Sequence, residues 1–200
     1  MEDHRSSGIL LAVSSLPGPY GIGSLGGPAR RFVDFLAEAG QHYWQILPLV
    51  PPGDGSSPYM SPSAFAGNPY LIDLDELAAE GLLTPQELDG ARWPDPDRVD
   101  YDHLAQTRIP LLRKAWERSQ TAHLQSDAPD LPWLEDYCTF AALHDRYQAP
   151  FWQWPEDAPP PELEEIDFHR FLQETFYRQW MALKKYASRR CIRIMGDNQS

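Results

Sequence analysis

Residues 8–13, GILLAV, form an uninterrupted apolar run, and the stretch that follows, SSLPGPYGIGSLGG, is almost entirely turn-forming. This pattern predicts a buried strand that delivers the chain into a long structured loop. Pro28 then stands where a first helical turn tolerates proline, and Phe32, Phe35, Leu36 and Ala39 recur at helical spacing before Gly40. They predict a short amphipathic helix. Residues 42–49, HYWQILPL, are aromatic and β-branched enough for a second buried strand, ended by Pro48 and the proline pair at 51 and 52. Two apolar strands joined by a helix imply parallel pairing, which places the loops that leave the strands at the carboxyl edge of the sheet, where ligand loops are found. The second of these loops, VPPGDGSSPYMSPSAFAGNPYLIDL, is long, rich in Gly, Ser and Pro, and aromatic. A loop of that length is functional or disordered, and its aromatic residues favour function.

Beyond it the pattern turns helical. Residues 74–83 read as a helix, Thr84 with Pro85 and Glu87 as a capped helix start, and RWPDPDRVD as a polar connector. Helical periodicity runs over about 104–123 and 132–147 with no strand between, so 74–160 is expected to be a helical insertion. From Pro161 a long helix carries Phe168, Leu172, Phe176, Trp180 and Leu183 on one face and ends in the basic KKYASRR. CIRIMGD completes the pattern as a third buried strand. The expected class is α/β, a partial (β/α)8 TIM barrel containing the first three strands, with an inserted helical subdomain. Its expected divisions are 1–73 (two strands, helix and substrate loop), 74–160 (insertion) and 161–200 (barrel helix and third strand).

Composition narrows the ligand. Aromatic residues make up 12% of the chain, a supply suited to stacking on flat rings, while the formal net charge of −12 would repel a phosphate backbone. A neutral polyol fits both facts and nucleic acid does not. Cys138 and Cys191 lack disulfide-framework or zinc spacing, and the histidines at 4, 42, 103, 123, 144 and 169 lack HxxxH or HExxH spacing. GIGSLG follows a Pro-rich loop and has no acidic partner for a dinucleotide ribose. No cofactor and no metal is implied. The N-terminal MEDHRSSG reaches only the short apolar ILLAV, which predicts a cytoplasmic chain without membrane attachment. Trp44 is read as core, and the aromatics of PFWQWPED as glue between insertion and barrel.

The segments SSLPGPYGIGSLG, YWQILPL, SSPYMSPSAFAGNPYLIDL and IRIMGD, in that order, resemble the N-terminal signatures of the amylomaltase family of 4-α-glucanotransferases. The resemblance implies a barrel enzyme that moves α-1,4-glucan segments between maltooligosaccharides by a retaining double displacement. An Asp nucleophile, a Glu acid–base and a third carboxylate would lie on later strands, so that none of them falls in this chain. It assigns Tyr59 as the aromatic stacking on a donor-side sugar, with Ser57 and Asn68 of the same loop as substrate-binding residues. Asp197 corresponds to a family aspartate at the catalytic face. Pro58, Ser61 and Ser63 match the motif too. Plain turn formation remains open for the serines and prolines, as does a turn-capping role for Asp197. The chain continues after Asp197 as NQS, where family members carry a Pro-Ile-aromatic-Val type run, and is expected to be cut short there. A non-catalytic glucan-binding module, or a helical interaction domain formed by the insertion, is the alternative reading.

Overall fold

The computed structural model describes residues 5–53, 57–93, 97–122 and 131–196 of the 200. Three short strands, β1 (Gly8–Leu10), β2 (Tyr43–Gln45) and β3 (Arg193–Met195), form one sheet in the order β1-β2-β3, and both pairings are parallel. Trp44 in the central strand is in register with Ile9 on one side and Ile194 on the other. Parallel neighbours require crossovers. The first is α1 (Gly27–Glu38), and the second contains α2 (Leu74–Ala79), α3 (Pro85–Ala91), α4 (Tyr101–Ala122), α5 (Leu134–Tyr147) and α6 (Leu163–Arg189).

Of the three strands expected to be buried, only the middle one has a buried residue, and its flanking Tyr43 and Gln45 are half-buried. Trp44 is completely buried, whereas Leu10 and Met195 are 56% and 46% exposed. The cause is position: β1 and β3 are the two edges of this sheet, and of their three residues only Ile9 and Ile194 pack against the core. The helix α1 has Pro28 in its first turn and ends ahead of Gly40, whose φ of 67° suits a residue without Cβ. Ala29, Val33 and Leu36 form its buried stripe. Phe35, expected on that face, is exposed because the residue next to Leu36 is rotated by roughly 100°.

Local chemistry accounts for the starts of α2 and α3. Asp73 Oδ1 accepts from the Glu76 amide to cap α2, and Thr84 and Glu87 form the expected capping box on α3. Hydrogen bonds from Arg118, together with the Thr84 amide, hold the Glu87 carboxyl well below the usual carboxylate range. On α6, Phe168, Leu172, Phe176 and Leu183 are buried and Trp180 half-buried, as the periodicity predicts. Its buried face joins a single apolar cluster that includes Val33 and Trp44 as well as Leu77, Leu112 and Trp116 of α2 and α4.

The PFWQWPED aromatics differ from expectation. Phe151 and Trp152 are 62% and 71% exposed and glue nothing to the sheet. Only Trp154 packs, on Phe140 and Tyr147 of α5, with its indole N–H donating to the Ala149 carbonyl at 2.8 Å. The single turn Phe151–Gln153 does not direct Phe151, Trp152 and Trp154 to one side. Among the described residues no helix is long and apolar enough to cross a membrane.

Both thiols are free, Cys138 buried and Cys191 exposed. Burial pushes the Cys138 thiol up to about 12. A colorimetric disulfide reagent at pH 8 is therefore expected to titrate one thiol in the native chain and the second only after unfolding. Two fast-reacting native thiols would contradict the packing of α5 on α6.

Candidate functional site

Because β1 and β2 run in the same direction, the segments that leave their carboxyl ends lie beside each other. Residues 12–15 after β1 and 47–50 with Pro52 after β2, joined by Pro58, Asn68, Leu71 and Tyr101, line a hollow of about 160 Å³. That is below the roughly 300–1,000 Å³ of a complete small-molecule pocket, so these residues can form one wall of a binding cleft but cannot enclose a ligand alone.

Hydroxyl and amide side chains shape the loop beyond β2. Ser57 Oγ accepts from the Tyr59 amide at 3.3 Å, capping the turn Pro58–Met60. Ser61 donates to the Ser63 carbonyl at 2.8 Å, while Ser63 Oγ accepts from the amides of Phe65 and Ala66 at 3.2 and 3.1 Å. Asn68 Oδ1 accepts from the Tyr70 amide at 2.9 Å and caps the turn Pro69–Leu71, and its own amide donates to the Leu49 carbonyl at 2.7 Å. Short polar side chains commonly close turns in this way. The turns leave Tyr59, Met60 and Phe65 on the surface, 56%, 63% and 64% exposed. Phe65 stacks on Trp133 with a centroid separation of 6.1 Å and an interplanar angle of 19°, and its carbonyl accepts from the Tyr177 hydroxyl at 2.7 Å.

The structure therefore separates the residues singled out in the sequence. Asn68 lines the hollow, with its carboxamide oxygen engaged in the turn. Ser57 and Tyr59 belong to the same loop but not to the lining, and Tyr59 is held by contacts of its own. Asp197 lies outside the described residues. Of the histidines, His103 lies tilted against Trp93 with a centroid separation of 3.9 Å, and His169 is buried with Nε2 3.2 Å from Asp145 Oδ2, close enough for an ion pair but without hydrogen-bond alignment.

Sequence reasoning overlooked the buried side chains that hold the loop from behind. Gln173 of α6 exchanges two hydrogen bonds with one backbone residue: the Gly67 amide donates to Oε1 at 2.7 Å, and Nε2 donates to the Gly67 carbonyl at 2.9 Å. Gln179 repeats the pattern on Asp73, at 2.7 and 3.1 Å. Between them, Arg108 of α4 donates from Nη2 to the Ile72 carbonyl. The Asp73 carboxylate also accepts from the Ser24 hydroxyl at 2.6 Å, tying the loop to the segment before α1. Burial lowers the Arg108 guanidinium to about 10 against the opposing pull of Asp73, and its Nε and Nη1 have no hydrogen-bond partner among the described residues. The available signal was two glutamines beside the apolar stripe of α6, since a carboxamide on a buried face must find a partner.

The sequence profile of the 4-alpha-glucanotransferase family matches residues 11–198. The chain is 42% identical to the 4-alpha-glucanotransferase of Synechocystis sp. and 44% identical to that of Thermus thermophilus, covering 98% of this chain and 43% of the relative in both cases. Among solved structures, it superposes on the amylomaltase of Streptococcus agalactiae in complex with acarbose with a TM-score of 0.85, at 37% identity over 97% of this chain and 43% of that one. The amylomaltase of Corynebacterium glutamicum, at 18% identity and a TM-score of 0.70, shares the fold. The chain thus spans less than half the length of these relatives. By the profile, the identities and the superposition together, it belongs to the 4-alpha-glucanotransferase family.

Proposed function

We propose that the protein transfers α-1,4-glucan segments between maltooligosaccharides, and that this chain supplies the donor-side wall of the cleft. The observation that carries this reading is the loop after β2, which leaves the carboxyl edge of a parallel sheet and exposes Tyr59 beside a shallow hollow. An aromatic face meets the C–H face of a glucose ring without charge, which suits a chain with a net charge of −12. Ser57 and Asn68 shape the loop and contribute hydroxyl or carboxamide groups to the sugar, and Asp197 holds a sugar hydroxyl or an active-site neighbour. The carboxylates that perform the displacement come from outside these residues, in keeping with the share of its relatives that the chain spans. The three parallel strands then serve as the first part of a (β/α)8 barrel, with 1–73 and 161–200 as barrel and 74–160 as the insertion. The protein is taken to work in the cytoplasm without a cofactor.

Maltotriose distinguishes the outcomes. The 200-residue chain and a version extended to the length of its relatives are incubated with it, and the sugars are separated. Glucose and longer maltooligosaccharides are expected only from the extended protein. Transfer by the short chain would place the catalytic carboxylates inside it, and binding without transfer by the extended protein would favour a glucan-binding module. In the extended protein Tyr59→Ala is expected to lower kcat/KM by roughly ten- to a hundredfold, the equivalent of about 1–3 kcal/mol of lost sugar contact. Unchanged kinetics would remove Tyr59 from the cleft.

A further inference from the structure

We infer that Gln173, Gln179 and Arg108 are positioning residues for the glucan-contacting loop, a three-point clamp through which α4 and α6 set the backbone of residues 67–73. The inference rests on the reading of that loop as the donor-side wall. Its physical basis is the pattern of the contacts. A loop backbone with no strand partner ordinarily gives its amides and carbonyls to water. Here the amide and carbonyl of Gly67, the carbonyl of Ile72, and the amide and carbonyl of Asp73 all pair with side chains that are at most 2% exposed. Each glutamine presents one acceptor and one donor to one residue, the same exchange that a neighbouring strand would make, so α6 serves as a surrogate strand edge at both ends of the segment. Between the two fixed ends stand Asn68 and Leu71, which line the hollow.

Every partner of the clamp lies far away in the chain: Gln173 is 106 positions from Gly67, Gln179 is 106 from Asp73, and Arg108 is 36 from Ile72. Phe176, between the glutamines, packs against Gly67 so closely that no Cβ would fit there. Tyr177 adds a bond to the Phe65 carbonyl at the outer end. The helices thus act on the site through its backbone and need no contact with the sugar. A cleft wall placed in this way binds with less ordering cost than a mobile loop.

Amide hydrogen exchange on the full chain tests the clamp. In the unaltered chain the amides of Gly67 and Asp73 are expected to exchange far more slowly than those of the exposed Tyr59 and Phe65; equal rates would overturn the clamp without any variant. Gln173→Met and Gln179→Met retain length and remove both hydrogen bonds. Each is expected to speed exchange across 67–73 by about ten- to a hundredfold while leaving the amides of α1 and β2 unchanged. In the protein extended to the length of its relatives, each should also weaken maltoheptaose binding by about tenfold, read by calorimetry. Acceleration spread evenly over the whole core, or none in the loop, would reduce the glutamines to ordinary packing residues and overturn the inference. If maltoheptaose does not bind even the unaltered extended protein while the loop exchange behaves as expected, it is the glucan reading that fails.

Discussion

Trp44→Ala is expected to lower the unfolding free energy by about 3–5 kcal/mol, a large share of the roughly 5–15 kcal/mol that holds an ordinary domain together. Trp44 is completely buried at the centre of the sheet, its neighbours in register being Ile9 and Ile194. Its ring meets Phe32 of α1 edge-on at a centroid distance of 5.0 Å, and its indole N–H donates to the Leu11 carbonyl at 2.8 Å. Truncation would leave a cavity between the sheet and α1 and leave a backbone carbonyl without its partner. Urea denaturation followed by far-UV circular dichroism measures the loss. A shift below about 1 kcal/mol would mean that the sheet closes over the cavity, and would count against Trp44 as the centre of the core.

Gly67→Ala is expected to cost about 1–3 kcal/mol or more and to disturb the loop as well as the core. A Cβ built on Gly67 would stand 2.0 Å from Cδ1 of Phe176 and 2.3 Å from two further atoms of the same ring, well inside van der Waals contact. Relief requires moving either a buried ring of α6 or the backbone that Gln173 grips. Phe176→Leu removes part of the obstruction, so the two substitutions together are expected to destabilise less than the sum of their separate effects. A strictly additive double variant would show that the ring and the glycine do not meet in solution.

Several elements were legible because their causes are local. The capping box of Thr84 and Glu87, the proline start and glycine end of α1 and the apolar stripe of α6 depend on residues within a few positions of one another. Parallel pairing followed from the length and helical pattern of the connection. Legibility stopped where neighbours from elsewhere in the chain mattered. Edge or centre of a sheet is not encoded in three apolar residues, so β1 and β3 were expected to be as buried as β2. The aromatics of PFWQWPED look alike in sequence, yet only Trp154 finds α5 to pack against, leaving Phe151 and Trp152 exposed. In the candidate site, the motif placed Tyr59, Ser57 and Asn68 on one loop, but not which of them lines the hollow.

By itself the sequence determined the order of strands and helices, the apolar face of α6, the turn-rich loop after β2 and the family to which the chain belongs, because periodicity, caps and motif order are properties of neighbouring residues. Only the tertiary structure decided which strand is central, which aromatics are exposed and how the loop is held. Gln173, Gln179 and Arg108 reach Gly67, Asp73 and Ile72 across 106, 106 and 36 positions of chain. A buried carboxamide declares in the sequence that it needs a partner; where that partner stands is settled only when the helices pack.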